Sequence, residues 1–249
     1  MIELLAPAKL TWFLEITAQR SDGYHLLRSE MTSLGLADRL RLSDGDGVTY
    51  TGSLTLDRAG INELNNSDDT LVHRALRLVG RRAHVEVEKQ IPLGGGLGGG
   101  SADAAAILRW AGMNDLDKAA TLGGDVPFCV VGGRALVSGI GEIVEPLPAN
   151  PTPVTLFLPS FGVNTAACYR AFDEMVRDGW RPSGRNHLLD PACRVEPQLR
   201  SLVEWIGAEV GEPILAGSGS TVFVEGHHGR EGTQTTSVGW VRVIQTVTA

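Results

Sequence analysis

The stretch IPLGGGLGGGSADAA, Ile91–Ala105, places six glycines around a single leucine. It follows HVEVEKQI, in which Val85 and Val87 alternate with polar residues, the period of a half-buried strand. It precedes SADAAAILRW, which is rich in helix formers and offers Ser101 as an N-cap with Asp103 in the first turn. The sequence therefore predicts a strand, a glycine loop and a helix N-terminus, in that order.

This order of elements suits a bound anion. Glycine lets backbone N–H groups converge without a Cβ in the way, and a helix N-terminus adds partial positive charge, so we expect the loop to hold phosphate. It is not the usual Gly-Lys-Ser/Thr phosphate loop, because Gly100–Ala102 follow Gly99. A dinucleotide fingerprint fits Gly94, Gly96 and Gly99, as it would fit any stretch this rich in glycine. A tight structural turn is the alternative interpretation.

Composition and charge narrow the class of protein. The chain has 249 residues, of which 43% are hydrophobic, and a formal net charge of −7, so it can form one large domain or two smaller ones. No apolar run approaches the roughly 18 residues of a membrane span, and no secretory signal is recognised. Cys129, Cys168 and Cys193 lack metal-type spacing and suggest reduced thiols. We expect a cytoplasmic protein that binds neither nucleic acid nor membrane; its oligomeric state and metal ligands do not follow from the sequence.

Lysine is rare in this chain. The 22 basic residues include three lysines, Lys9, Lys89 and Lys118, and the rest are arginines. A compact ammonium and a planar guanidinium are not interchangeable, so a chain this rich in arginine is expected to keep lysine where a point charge matters. Lys9 and Lys89 both lie in segments that carry motifs, which supports a chemical role for those segments.

The first half of the chain alternates strand and helix patterns. Apolar and polar residues alternate from Leu10 to Ile16, which predicts a strand that ends at a turn over residues 21–23. Asp44–Gly47 is expected to be the turn of a hairpin. The apolar spacing after Ser67 predicts a helix. The proline-rich segment 146–153 is the predicted boundary between domains 1–147 and 148–249.

The second half of the chain predicts a small α+β domain. Strand patterns at VTLFLP and VGWVRVIQTV enclose two helical patterns, NTAACYRAFDEMVRDG and PQLRSLVEWIGA, and a strand-turn-strand unit, PILAGSGSTVFVEG. The segment 227–237 is expected to be a loop or a short helix. His227 and His228 are adjacent in this polar segment, and we assign them no metal.

Three segments together resemble one family. PAKLTWFLEITAQRSDGYHLL near the start, PLGGGLGGGSADAA in the middle and LAGSGSTVFV near the end look like the GHMP small-molecule kinases, and GGDVPF and NHLLDPA add weaker matches. The resemblance spans nearly the whole chain. It implies an α+β fold of two domains, with an N-terminal domain similar to domain 2 of ribosomal protein S5 and a ferredoxin-like C-terminal domain.

The resemblance also implies an activity. The R-x-DGYH turn is particular to those GHMP kinases that use ATP to phosphorylate the 2-hydroxyl of diphosphocytidyl-methylerythritol in the non-mevalonate isoprenoid pathway. ATP and Mg²⁺ are the implied cofactors. Asp125 matches the catalytic aspartate that accepts the hydroxyl proton, and Lys9 matches the catalytic lysine beside it. Thr11, Tyr24 and His25 match substrate-binding positions.

The implied nucleotide-binding residues are those of the glycine loop and the lysine before it. They are Lys89, Pro92, Leu93, Gly94, Gly95, Gly96, Leu97, Gly98, Gly99, Gly100, Ser101 and Ala102. The loop supplies unobstructed N–H donors for the ATP phosphates, and Ser101 can offer its hydroxyl to phosphate or Mg²⁺.

Departures from the family pattern keep alternatives open. Thr11 and Thr70 stand where the family usually has asparagine, and the segment between Ser101 and Asp125 is shorter by about two helical turns. Asp125 could also serve as a helix cap. A GHMP kinase for another alcohol such as homoserine or mevalonate, and a nucleotide-binding homologue that has lost turnover, therefore remain alternatives. A dehydrogenase is the weakest interpretation.

Overall fold

The computed structural model describes residues 1–52, 58–236 and 239–249, which form two antiparallel-rich sheets covered by helices. The strands of the first sheet are β1 (Ile2–Gln19), β2 (His25–Ser43), β3 (Gly47–Gly52), β4 (His84–Lys89), β5 (Arg134–Gly139) and β6 (Ile143–Leu147). The helices in this half are α1 (Arg58–Asn65), α2 (Leu71–Leu78), α3 (Gly99–Trp110), α4 (Leu116–Ala120) and α5 (Val126–Val131). The helices predicted after Ser67 and after the glycine loop are thus confirmed.

The second half has five strands and three helices. The strands are β7 (Pro153–Pro159), β8 (Ile214–Leu215), β9 (Val222–Glu225), β10 (Gly232–Thr236) and β11 (Gly239–Val247). The helices are α6 (Thr165–Arg177), α7 (Leu189–Val195) and α8 (Pro197–Glu209). The predicted strands at VTLFLP and VGWVRVIQTV are confirmed as β7 and β11, apart from Val238, which lies outside the described residues, and the two predicted helices are also confirmed.

The first sheet has the order β3-β4-β2-β5-β6, and β1 pairs with β2. The hairpin predicted at Asp44–Gly47 is wrong, because β4 lies between β2 and β3 and pairs in parallel with β3. Val85 and Val87 of β4 are fully buried, so β4 occupies the edge of β2 that a hairpin would have used. The turn residues predict a reversal of the chain, and they do not determine which strand it pairs with.

The second sheet has the order β10-β11-β7-β9-β8. The expectation of a loop or a short helix over 227–237 is wrong for Gly232–Thr236, which forms β10 and pairs antiparallel with β11. The local sequence pattern of β10 is weak. Its threonines are β-branched and it pairs with the apolar strand β11, so this tertiary pairing makes the segment a strand. Ser237, the last residue of that segment, lies outside the described residues.

The two sheets share a hydrophobic core. One apolar cluster joins β1, β2, β4 and α3 to residues of the second sheet such as Leu156 and Phe223, both fully buried. A second cluster fills the space between the second sheet and α6–α8. Isolated bridges from Leu14 to Asn186 and from Leu34 to Thr248 add backbone contacts between the halves. Within the described ranges, no helix combines the length and apolarity that crossing a membrane requires.

Candidate active site

The glycine loop joins the end of β4 to the start of α3, which confirms the predicted order of strand, loop and helix. Gly98 is the N-cap, with a left-handed backbone (φ 69°), so the prediction that Ser101 caps the helix is wrong. The helix begins earlier because glycine adopts this conformation without strain. Ser101 lies in the first turn of α3 instead, and Asp103 lies in the following turn and is buried.

The loop approaches β1 closely at Gly98. The backbone N–H of Lys9 donates to the carbonyl of Leu97 at 3.0 Å. A Cβ on Gly98 would lie 2.8 Å from Cγ of Lys9 and 3.7 Å from Oδ2 of Asp125. The absence of a side chain at Gly98 therefore lets the loop rest on both proposed catalytic residues.

Lys9 and Asp125 meet beside the loop. Their Nζ and Oδ2 atoms are 3.5 Å apart, and the Lys9 side chain is 5% exposed while that of Asp125 is 34% exposed. Asp125 stands at the N-cap position of α5, yet among the described residues its side chain makes no capping hydrogen bond. The carboxylate is directed to Lys9 and remains open to solvent on its other side, a geometry that suits a general base more than a helix cap.

Thr11 and Thr70, the threonines expected to stand where the family has asparagine, are both buried. Thr11 is fully buried and its hydroxyl accepts a hydrogen bond from Nζ of Lys9 at 3.2 Å, so it acts on the site through Lys9 and is not placed to contact substrate directly. Thr70 is the N-cap residue of α2. Its hydroxyl accepts from the hydroxyl of Tyr50 at 2.6 Å and lies 2.9 Å from Nδ1 of His73.

A cavity of about 570 Å³ opens in front of Asp125. The turn that joins β1 to β2 lines one side with Tyr24 and His25, and Ser101 of α3 lines the floor beside Asp125. Tyr169 of α6 lines the cavity next to His25. The structure thus brings together the predicted positions Tyr24, His25, Ser101 and Asp125, although they come from three separate sequence segments.

His25 is held by groups that the sequence did not reveal. Its ring stacks on Tyr169, with centroids 5.0 Å apart and planes inclined by 27°, and its Nε2 lies 2.7 Å from Oδ1 of Asp173. Burial raises the pKa of the Tyr169 hydroxyl above its usual value. Both residues lie on α6, four positions apart, so they share one face of the helix. The i, i+4 spacing of an aromatic and an acidic residue on the predicted helix is the sequence signal that could have identified Tyr169 and Asp173.

A second glycine turn closes the site from the other half of the chain. Gly217, between β8 and β9, has φ +100°, and a Cβ there would lie 2.9 Å from Nζ of Lys9. The side-chain amide of Asn186 donates to the carbonyls of Leu215 and Gly217 at 2.9 and 2.8 Å. The NHLLDPA segment thus anchors the turn of LAGSGSTVFV against Lys9.

Lys89 occupies a different position from the one expected. Its side chain is 2% exposed, and its ammonium donates to Asp38 and, at 2.7 Å, to Asp103. The ammonium lies beneath the loop between two carboxylates, so a contact between this group and nucleotide, expected from its place before the loop, is not available. The sequence analysis did not identify Asp38. It is a charged residue at the same inward-facing alternate positions of β2 as Leu40 and Leu42, and that pattern could have identified it.

Comparison with known proteins matches this arrangement to one family. The family described as GHMP kinases N terminal domain matches residues 70–133, which include the glycine loop and Asp125. The 4-diphosphocytidyl-2-C-methyl-D-erythritol kinase of Desulfitobacterium hafniense (strain Y51) is 35% identical, over 89% of this chain and 86% of the relative. The enzyme of the same name from Paracoccus denitrificans (strain Pd 1222) is 35% identical, over 88% of this chain and 84% of the relative.

The chain belongs to the GHMP kinase family. A crystal structure of a 4-(cytidine 5'-diphospho)-2C-methyl-D-erythritol kinase superposes with a TM-score of 0.71 at 29% identity and covers 99% of both chains. A mevalonate kinase from L. major, solved with R-mevalonate, superposes with a TM-score of 0.61 at 10% identity, over 92% of this chain and 88% of that one. The second likeness concerns the fold alone. The connection between α3 and α5 holds the five-residue α4.

Proposed function

We propose that this GHMP kinase transfers the terminal phosphoryl group of ATP to the 2-hydroxyl of 4-diphosphocytidyl-2-C-methyl-D-erythritol. The observation that carries the proposal is the cavity of about 570 Å³, which is lined both by Asp125 and by the DGYH turn. Relatives that are 35% identical over nearly nine-tenths of the chain bear the name of this kinase. The volume lies within the roughly 300–1,000 Å³ that pockets for small ligands occupy.

The proposed reaction assigns separate roles to Asp125 and Lys9. The carboxylate of Asp125, open to the cavity, accepts the proton of the attacking hydroxyl. The ammonium of Lys9, 3.5 Å away, orients that carboxylate and stabilises negative charge at the reacting oxygen. General-base help of this kind is worth about 10²–10⁴-fold in rate. Thr11 supports the reaction by holding the ammonium through its hydroxyl.

The phosphates of ATP would lie on the glycine loop and the N-terminus of α3. Gly98 and Gly99 leave backbone N–H groups unobstructed, and the 12-residue helix adds partial positive charge. Mg²⁺ would neutralise charge on the transferred group. The described residues contain no group of three or more His, Cys, Asp or Glu side chains that could hold a metal ion, and Mg²⁺ in kinase sites is held largely by phosphate oxygens and water. The hydroxyl of Ser101, on the phosphate-binding helix, would be one oxygen donor, and the carboxylates of Asp125 and Asp22 line the same cavity.

The cytosine end of the acceptor would occupy the part of the cavity beside the DGYH turn. Tyr24 is 61% exposed, which is unusual for a large aromatic side chain and suits a residue that a planar base covers. The stacked pair of His25 and Tyr169 forms a second aromatic surface in the same cavity. A cytoplasmic location fits the three cysteines, which are free and buried. With a net charge of −7 we propose a small molecule, not a nucleic acid, as the partner.

The test is an assay of ADP formation with ATP, Mg²⁺ and a panel of alcohols. We expect the diphosphocytidyl alcohol to stimulate ADP formation far above homoserine and mevalonate, and phosphorus NMR to show a new phosphate monoester on the acceptor. Stimulation by mevalonate or homoserine alone would assign the site to another GHMP kinase activity. ADP binding without stimulation by any alcohol would make the chain a nucleotide-binding homologue.

A further inference from the structure

Three charged side chains meet beneath the glycine loop, and the proposed chemistry does not use them. We call Asp38 of β2, Lys89 of β4 and Asp103 of α3 the buried cluster. Each side chain is at most 2% exposed. The ammonium of Lys89 donates to one oxygen of each carboxylate, and the distance to Oδ2 of Asp103 is 2.7 Å. Three separate elements are thereby tied together at one point.

Burying such a cluster is expensive. Removing ions from water costs several kcal/mol each even when they are paired, and apolar residues of similar size are often as stable or more stable. Burial raises the pKa of Asp103 to about 7 and is opposed by Lys89, and Oδ1 of Asp103 has no hydrogen-bond partner in the described part of the chain. Stability of the core alone therefore gives no reason for these three charges.

The contacts of the buried cluster lead directly to the loop. The second oxygen of Asp38 accepts hydrogen bonds from the backbone N–H groups of Gln90 and Ile91 at 2.5 and 2.8 Å, where the chain leaves β4. At the other end of the loop, a Cβ on Gly99 would lie 3.2 Å from Nζ of Lys89. Asp103 lies one helical turn further along α3. The cluster thus holds the entrance of the loop and the start of the helix at a fixed separation.

We propose that Asp38, Lys89 and Asp103 are positioning residues that set the spacing of the phosphate-binding loop, and that they control nucleotide affinity without touching nucleotide. The inference rests on the proposed function in so far as the loop binds the phosphates of ATP. Charge-assisted hydrogen bonds are directional and short, so they fix the two ends of the loop more closely than apolar contacts do. The backbone N–H groups between them then stay directed at the phosphates before nucleotide arrives.

The test compares Asp38→Asn, which keeps the shape of the side chain and removes its charge, with the parent protein. We expect the Kd for ADP and the KM for ATP to rise roughly tenfold to 100-fold, since small displacements of positioning groups have effects of this size. The KM for the alcohol acceptor should stay within about twofold, because the DGYH turn is not attached to the cluster. Hydrogen exchange of loop amides 94–99 should become faster than in the parent, while that of β7 should stay unchanged.

The matched control is Glu30→Gln on the same strand. Glu30 accepts from Arg134 at 2.7 Å, so this change also breaks a partly buried ion pair of β2, away from the loop. It should lower the unfolding temperature and leave the Kd for ADP unchanged. If Asp38→Asn does not fold, Asp103→Asn replaces it, because the bond between Lys89 and Asp38 then remains.

Each outcome decides the inference independently of the proposed function. A folded Asp38→Asn or Asp103→Asn protein with the parent's ADP affinity and loop exchange overturns it, even where its unfolding temperature is lower. A parent protein that phosphorylates no alcohol removes the proposed function. The ratio of ADP affinities between variant and parent still decides whether the buried cluster positions the loop.

Discussion

Two groups of lysine and aspartate lie on either side of the glycine loop, and they differ in their access to water. Lys9 faces one carboxylate at 3.5 Å, and that carboxylate is 34% exposed. Lys89 faces two carboxylates, and all three side chains of the buried cluster are at most 2% exposed. The same residue types therefore have opposite uses: a charge pair with one open side can exchange a proton with a ligand, whereas an enclosed group can only hold its neighbours.

The pKa values in the buried cluster follow from its lack of access to water. Burial by itself would lower the pKa of Lys89, but the adjacent Asp103 and Asp38 raise it above its usual value, so the ammonium keeps its charge. A permanently charged lysine between two carboxylates serves as a fixed link. Lys9, in contrast, has its second polar contact with the neutral hydroxyl of Thr11, which leaves the Asp125 side of the pair for substrate.

The largest expected effect comes from the pair of Lys9 and Asp125. Asp125→Ala removes the proposed base, so kcat should fall by about 10²–10⁴-fold, while the Kd for ADP should stay within about twofold. Steady-state kinetics and calorimetric titration with ADP measure the two quantities. Asp117→Ala, which removes an exposed aspartate of the nearby α4, is the control and should leave both unchanged. A variant with parental kcat would take Asp125 out of the mechanism.

The next prediction compares the loss of stability when Lys89 or Lys9 is replaced by methionine. Lys89→Met leaves two buried carboxylates without their cation, and breaking a buried ion pair in this way costs about 3–5 kcal/mol of unfolding free energy. Lys9→Met should cost less stability than Lys89→Met, because the single carboxylate it leaves unpaired, Asp125, is 34% exposed and can be hydrated, and it should abolish turnover. Urea unfolding of both proteins gives the comparison. Equal losses of stability would show that enclosure does not distinguish the two groups.

A smaller effect is expected from disturbing the contact between the glycine loop and Lys9. Gly98 and Gly94 have nearly equal positive φ values, 69° and 71°, so an alanine at either position is strained by about 1 kcal/mol. A Cβ on Gly98 also meets Lys9 at 2.8 Å, whereas a Cβ on Gly94 has nothing within 4 Å. Gly98→Ala should therefore lower kcat at least tenfold more than Gly94→Ala. Similar kinetics in the two variants would mean that only backbone strain matters.

The sequence predicted the loop and its flanks because their signals are local. Glycines, alternating valines and an alanine-rich helix each constrain their own neighbours, and the structure confirms the order they predict. The meeting of Lys9 with Asp125 came from the family resemblance, since no local pattern brings together β1 and the start of α5. The resemblance reached no further than its motifs, so Tyr169 and Asp173, which lie outside them, were not found.

The wrong predictions concern contacts between residues that are far apart in the sequence. At Asp44–Gly47 the turn residues were recognised, and the pairing of β3 with β4 was not, because it depends on a strand some 40 positions later in the chain. The placement of Lys89 was missed for a similar reason: its partners Asp38 and Asp103 come from β2 and α3, and only the folded chain brings them to one point.

The last expected effect is a dependence of stability on pH that belongs to the buried cluster. Burial raises the pKa of Asp103 to about 7, above its usual value near 4 in the unfolded chain, so between these values the folded state binds more protons. The stabilisation linked to this carboxyl is then complete below about pH 4 and is lost as the pH rises through 7. Asp103→Asn cannot titrate, so its unfolding free energy relative to the parent should increase from pH 4.5 to about pH 7 and then level off towards pH 8. Urea unfolding at several pH values measures this difference, and a constant difference across the range would show that Asp103 is ionised in the fold, with Lys89 fully offsetting the cost of its burial.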